Sequence, residues 1–237
     1  MNTSNKWIYE NSETSWGENQ AASLNRWEQD VLRRYLQNKE GRILEGCCGG
    51  GRISKHLYEW GFKNIEGFDF VEDFIREAQS SAPFLHFFVA DARDLSMIPD
   101  KSFDYVVYLQ QCICFIPVEG IKAALEENYR VCKSGGTAVF SFLDFNGRGV
   151  NRILGPLLSV LRWARHEDLS PQQLPWLRLR GKPNWNFWRK GQATNYWFTK
   201  SEIVHHLQCV GYDIVELYNA SDDANSEGMI YVVCKKP

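Results

Sequence analysis

From Arg42 to Phe145, short apolar runs alternate with segments of helical period, and that alternation leaves few folds open. "RILEG" reads as a buried strand, "GRISKHLYEWG" as a helix that Gly61 can stop, and "NIEGFDF" as a second strand. "VEDFIREAQSS" is helical, "LHFFVADA" and "FDYVVYLQ" are strands, and "VEGIKAALEENYRVC" is a helix. "KSGG" then turns the chain into a fifth strand, "TAVFSFLDF". Upstream, residues 21–38 space Leu24, Trp27, Val31, Leu32, Tyr35 and Leu36 as an amphipathic helix does. Downstream, "FTKSEIVHHLQCVG" reads as a helix, and "YDIVELYNA" and "GMIYVVCKK" as a closing antiparallel pair. The pattern predicts an α/β fold: a doubly wound, seven-stranded, mostly parallel sheet with an antiparallel last strand pair.

The rhythm breaks after Asp144 and resumes near Trp197. This gives an amino-terminal lid and helix (1–39), an α/β core (40–144), an inserted cap (145–196) and a carboxyl-terminal return to the core (197–237). Charge is segregated along these lines. Residues 145–200 hold ten Lys and Arg against Glu167 and Asp168, a net of +8 in a chain whose total is −2. The same stretch holds five of the nine tryptophans. A near-neutral total argues against a whole-molecule attraction to nucleic acid or membrane. The first twenty residues lack an apolar signal core, and no run of about 18 apolar residues occurs, so a cytoplasmic protein is expected. Seven cysteines, an odd number, fit reduced thiols in that compartment.

Chemistry concentrates at the turn after the first strand, "EGCCGGGR". A dinucleotide-binding G-x-G-x-x-G would need glycine at Cys47, Gly49 and Arg52, and two of those three positions fail. Acid-x-G-x-G-x-G fits better, with Cys47 in the first glycine slot. Gly49 and Gly51 permit close backbone approach. Glu45 places an anion that repels phosphate and attracts an ammonium or sulfonium. Asp69 ends the second strand, where a carboxylate can accept both hydroxyls of a ribose. Asp91 and Ala92 end the third, where an acid can accept from an exocyclic amine. Acids at three strand ends face the usual ligand crevice of such a sheet.

These segments, in this order, resemble the class I S-adenosylmethionine-dependent methyltransferases. "ILEGCCGGGR" is similar to the family's first motif, "IEGFDFVEDFIREAQ" to its ribose segment, and "VADARDLSMIPDKSFDYVVYLQQ" to its adenine segment and fourth strand. "YRVCKSGGTAVFSF" and "FTKSEIVHHLQCVGYDIVEL" resemble the later helix, turn and strands; together they cover most of 40–145 and 197–235. The resemblance implies S-adenosyl-L-methionine as cofactor and S-adenosyl-L-homocysteine as product. It implies cofactor contacts from Glu45, Gly46, Cys47, Gly49, Gly51 and Arg52, from Asp69 and Phe70, from Asp91, Ala92 and Arg93, and from Leu109 and Gln110. The chain departs from the family at Cys47, at Ser134 where proline is common, and after the fourth strand, where Ile113 and Cys114 replace a frequent histidine pair.

A sulfonium methyl is already activated, so alignment is the main task, and a general base helps if the acceptor is a hydroxyl. Asp144, His166 and Tyr9 are the catalytic candidates. Asp144 serves equally well as a loop cap and His166 as a solvated helix end. Trp16, Gln111, Cys114, Trp185 and Trp188 are the candidate acceptor contacts, with Tyr9 and Trp16 forming a lid or only packing the first helix. Cys47, Cys48, Cys112 and Cys114 approach one crevice, but CC and C-x-C lack C-x-x-C spacing, so they are read as buried small hydrophobes and no metal is expected.

In this family, an insertion at 145–196 stands over the active site. Pro156 predicts a broken or kinked helix in "GVNRILGPLLSVLRWARHEDL". Three roles compete: a cap that selects a small, acidic or aromatic acceptor, a membrane contact through 149–165 that reaches a lipid or lipid-linked acceptor, or an RNA-binding surface. No RNA module is recognisable, and the cap is placed first. A cofactor-binding protein without turnover is the rival from another class. Neither the acceptor nor the oligomeric state is legible.

Overall fold

The computed structural model describes residues 23–147, 149–167, 169–175, 178–179, 182–185, 188–189, 194–220 and 228–237. Helix α1 (Arg26–Tyr35) starts later than its apolar spacing suggests, because Asn25 caps it. The Asn25 side chain accepts from Glu28 N at 2.8 Å, and the Glu28 carboxylate accepts from Asn25 N at 2.9 Å. Strand β1 (Ile43–Gly46), buried throughout, leads through the glycine turn into α2 (Arg52–Glu59). Then come β2 (Ile65–Asp69), α3 (Glu72–Ser81), β3 (His86–Val89) and β4 (Phe103–Tyr108). A 3-10 turn (Cys112–Phe115), α4 (Val118–Val131) and β5 (Cys132–Leu143) follow. The "KSGG" segment lies inside β5 as a bulge rather than ahead of it. Gly135 takes φ 75°, and the β4–β5 register shifts between Phe103 and Tyr105.

The insertion supplies α5 (Gly149–Ala164), β6 (Gln173–Pro175), β7 (Arg178–Leu179), β8 (Lys182–Pro183) and β9 (Thr194–Tyr196). β6 pairs with β9 and β7 with β8, both antiparallel, so this region is a helix followed by two small ribbons rather than wholly helical. α5 runs across Pro156 as one helix, so of the expected break or kink the break does not occur; the proline lies on its exposed side. The chain closes with α6 (Lys200–Cys209), β10 (Asp213–Ala220) and β11 (Met229–Lys235).

The sheet order is β3-β2-β1-β4-β5-β11-β10. β1 to β5 are parallel, and β11 runs antiparallel to both its neighbours. Successive strand residues serve opposite faces. Ile43, Val107, Val139 and Val233 join Val31, Leu57 and Ala78 on one side of the sheet. Leu44, Val106, Phe140 and Val232 join Ile121, Leu125 and Leu207 on the other. Leu154, Leu158, Leu174 and Trp197 extend this second core, so the insertion is fused to the sheet layer. No helix among the described residues is long and apolar enough to cross a membrane.

Candidate active site

β1 and β4 are neighbours whose chains leave toward opposite edges of the sheet, which opens a crevice at their carboxyl ends. The glycine turn fills one wall. Cys48 N donates to Phe68 O and Gly51 N to Cys48 O, both at 2.9 Å, tying the turn to β2 and to itself. At Gly49 (φ 52°) an added Cβ would meet nothing within 4 Å, so bare backbone fronts open space. Gly51 (φ 78°) is the left-handed residue from which α2 starts. Gly46 lies flat against the Tyr108 ring.

Two buried carboxylates hold this turn. Asp69 Oδ2 accepts from Gly49 N and Oδ1 from Val71 N, each at 3.0 Å. Glu45 Oε2 accepts from Ser54 N at 2.8 Å and from the Ser54 hydroxyl, satisfying an amide in the first turn of α2. Glu45 therefore braces the helix as well as charging the turn. Burial pushes the Glu45 carboxyl up to about 7 and the Asp69 carboxyl up to about 6, despite these bonds. Buried acids without a direct ion pair mark a place where a cation or hydroxyl donors belong. The open face at Gly49 and the two acids beside it are chemically suited to a sulfonium nucleoside.

Cys47 occupies the first glycine slot at φ 53°, a left-handed conformation that explains why glycine is usual there. Hydrogen bonding to Cys112, with burial, pushes its thiol well up, so it stands protonated. A Cys47→Gly variant is expected to stay within about 1 kcal/mol of the parent, while Cys47→Val costs about 2–3 kcal/mol because a branched Cβ tolerates this φ worst. Urea titration measures both. Equal costs would show that packing beside Cys112, not the backbone, selects this residue.

Other expected residues are placed differently. Arg52 does not face the crevice freely: its guanidinium pairs with Glu28 at 2.7 and 3.0 Å. With its amide oxygen turned inward, Gln110 also accepts from Arg52 Nε at 3.2 Å and from Nη2. Arg52 is thus a strut between α1 and the end of β4. Glu28 and Ser54, absent from the sequence-based site, complete these braces. Phe70 is half-buried beside Asp69. Asp91 is already engaged by Arg93, Nη2 to Oδ2 at 2.6 Å and Nε to Oδ1 at 3.0 Å, which holds its carboxyl below the usual range. Ala92 is buried in the core. The Leu109 side chain also belongs to the core, which leaves only its backbone for a ligand. Gln110 and Gln111 are both left-handed (φ 57° and 59°), which ends β4 and turns the chain over the crevice; Gln111 N donates to Ser141 Oγ at 2.9 Å.

Among the acceptor candidates, Cys114 is fully buried and its Sγ accepts from Leu143 N at 3.2 Å, so it belongs to the core and not to a pocket wall. Trp185 and Trp188 are exposed on the insertion, and Arg165 donates to Trp188 O at 2.6 Å. Asp144 is buried, with Oδ1 accepting from Asn146 N at 2.9 Å and Oδ2 from Asn219 Nδ2 at 3.3 Å, the loop-capping alternative. His166, exposed at φ 54°, ends α5 and its N donates to Trp163 O at 3.1 Å. Tyr9 and Trp16 lie outside the described residues. No cluster of His, Cys, Asp and Glu suited to a metal occurs among the described residues.

A family model described as a methyltransferase domain matches residues 43–136, the segment that carries Glu45, the glycine turn, Asp69 and Asp91. The chain carries a methyltransferase domain, and its fold is that of the S-adenosylmethionine-dependent methyltransferases. The methyltransferase is 26% identical, over 76% of its own length and 68% of the relative's, to malonyl-[acyl-carrier protein] O-methyltransferase of Salmonella typhimurium. Its fold is similar to that of a SAM-dependent methyltransferase from Methanosarcina mazei (TM-score 0.70, 20% identity, 91% and 99% of the two chains). It is also similar in fold to a 1,6-didemethyltoxoflavin-N1-methyltransferase from Burkholderia thailandensis, solved with bound 1,6-didemethyltoxoflavin and S-adenosylhomocysteine (TM-score 0.62, 14% identity, 89% and 77% of the two chains).

Proposed function

We propose that the methyltransferase alkylates an oxygen or nitrogen of a small-molecule acceptor, with residues 145–196 selecting that acceptor. The observation that carries this reading is where the insertion is rooted. It leaves β5 beside the crevice, and β9 packs on the 3-10 turn that follows β4. The bound cofactor supplies a methyl group that its sulfonium has already activated. The protein's share is position and charge. Asp69 and the Gly49 backbone fix the nucleoside end, Glu45 favours the cationic end, and the insertion excludes water above the acceptor. Asp144 is held by Asn146 and Asn219, and His166 faces solvent, so neither presents a ready base. Transfer to an amine or an already ionised oxygen suits such a site. Of the three named proteins, one is an O-methyltransferase and another an N1-methyltransferase. Seven cysteines, all free thiols, fit a reducing compartment such as the cytoplasm.

Incubation with methyl-labelled cofactor and a panel of small amines, carboxylates and phenols tests the proposal. Label is expected in a small-molecule product. Label confined to an extracted lipid fraction would replace the acceptor class. Cofactor binding without turnover on any acceptor would favour a non-catalytic holder.

A further inference from the structure

We infer that the outer face of α5, with the cationic cleft at its foot, is a docking surface for an anionic lipid bilayer. α5 is apolar on two faces. Leu154 and Leu158 pack into the core, with Asn151 and Arg162 buried on the same side. Ile153, Leu157, Val160, Leu161 and Trp163 point outward, Ile153 74% and Trp163 80% exposed. A helix apolar all round is normally covered on every side; here a stripe following the three-and-four spacing meets solvent, and α5 contains no acid.

The foot of the helix adds charge. Arg162, Arg165 and Arg189 line a cleft with Leu161, Glu167 and Trp188. The Arg162 guanidinium is buried and donates to Ser170 O at 3.2 Å; burial lowers its pKa, so an anionic group is welcome there. Arg165 stands 5.9 Å over the Trp188 ring, placing a cation and an aromatic at one level beside the stripe. Tryptophan and arginine flanking aliphatic side chains is the arrangement that rests in a lipid interface, aliphatics in the acyl boundary and cations among phosphates.

Charge decides between occupants. Residues 145–200 carry +8. A second copy meeting this face by two-fold symmetry would set the cations of the cleft, Arg165 and Arg189, against their own copies. A nucleic acid would satisfy the arginines but leave Ile153, Leu157 and Val160 without partners, since phosphate and stacked bases offer aliphatic side chains little. An anionic bilayer satisfies both sets of groups, and because no described helix can span it, contact is peripheral.

Co-sedimentation with vesicles tests this without reference to turnover, so failure here leaves the methyltransferase reading untouched. The full chain is expected to pellet with vesicles of phosphatidylglycerol and phosphatidylcholine, and to stay in solution with phosphatidylcholine alone. The exposed double substitution Leu157→Glu/Val160→Glu should weaken binding at least tenfold with unchanged circular dichroism. Arg189→Glu should weaken it too, because each cation near such a surface contributes about a fivefold factor. A wild-type chain that ignores anionic vesicles overturns the proposal. So does undiminished binding by the double variant. Sedimentation velocity showing a dimer that the double variant dissociates, without vesicle binding, would assign the face to self-association. Retention of an RNA oligonucleotide in place of vesicles would assign it to nucleic acid.

Discussion

Replacing Asp69 with alanine is expected to weaken S-adenosylmethionine binding at least ~100-fold while moving the melting temperature by only a few degrees. Hydrogen bonds to a charged acceptor contribute about 1.5–3 kcal/mol each, and a ribose offers two donors. The fold has less to lose. Burial lifts Asp69 from 3.8 to about 6, and a shift of that size means the ionised form costs the native state about 3 kcal/mol at neutral pH. Alanine removes this cost and also removes the acceptors of Gly49 N and Val71 N, so the two changes offset. The pH dependence follows with a definite sign. The folded pKa lies above the unfolded one, so the penalty is complete above about pH 6 and absent below about pH 4. Glu45, lifted from 4.5 to about 7, acts in the same direction over a slightly higher range. These two groups should therefore make the native state more stable at pH 5 than at pH 7.5, while S-adenosylmethionine affinity falls over the same interval. S-adenosylhomocysteine, whose sulfur is uncharged, should lose less affinity. Calorimetric titration and melting curves at several pH values measure all three. Retention of cofactor affinity within threefold in Asp69→Ala would remove Asp69 from the binding site.

The second large effect is expected at the strut between α1 and α2. Glu28 and Arg52 are almost fully buried, and both Glu28 oxygens receive guanidinium nitrogens. Removing one partner strands the other charge away from water, which costs about 3–5 kcal/mol. Arg52→Ala also releases Gln110 at the end of β4, and Glu28→Ala also deletes half of the capping box on α1. The combined Glu28→Leu/Arg52→Met change removes both charges and fills the volume, so it should recover most of either loss. Chemical denaturation of the three variants forms the cycle. A single substitution costing less than about 1 kcal/mol would mean that water reaches the pair and that α1 is docked by its apolar face alone.

The fold was legible because the central strands are buried on both faces and read as apolar runs with acids at their ends. That the glycine turn, Glu45 and Asp69 meet was legible because they lie at the carboxyl ends of two adjacent parallel strands; their cofactor roles belong to the proposed function. What escaped had other causes. The Glu28–Arg52 pair joins residues from two different helices, and no local pattern distinguishes a buried arginine from one facing a ligand. The Asp91–Arg93 pair is local, and the expectation of an adenine contact obscured it. Cys114 sits in a 3-10 turn, where alternation gives no indication of which way a side chain points. β7 and β8 are too short to carry any period. α5 carries large aliphatic side chains on two faces, so its sequence could not say which half the core would take.

The position of β11 has a consequence for how the chain is made. Thr137–Leu143 of β5 finds its antiparallel partner only in Met229–Lys235, which leaves the ribosome about 85 residues later. At bacterial or eukaryotic synthesis speeds that interval is roughly 4–20 s. Throughout it, the nascent sheet presents β5 as an open edge, with Phe140 and Phe142 uncovered and ready to pair with any extended chain. The insertion is synthesised within this interval, so α5 can settle Leu154 and Leu158 on part of the apolar surface before the final strand arrives. The segment that packs Leu154 and Leu158 on the finished sheet is thereby placed to act as an internal chaperone for it.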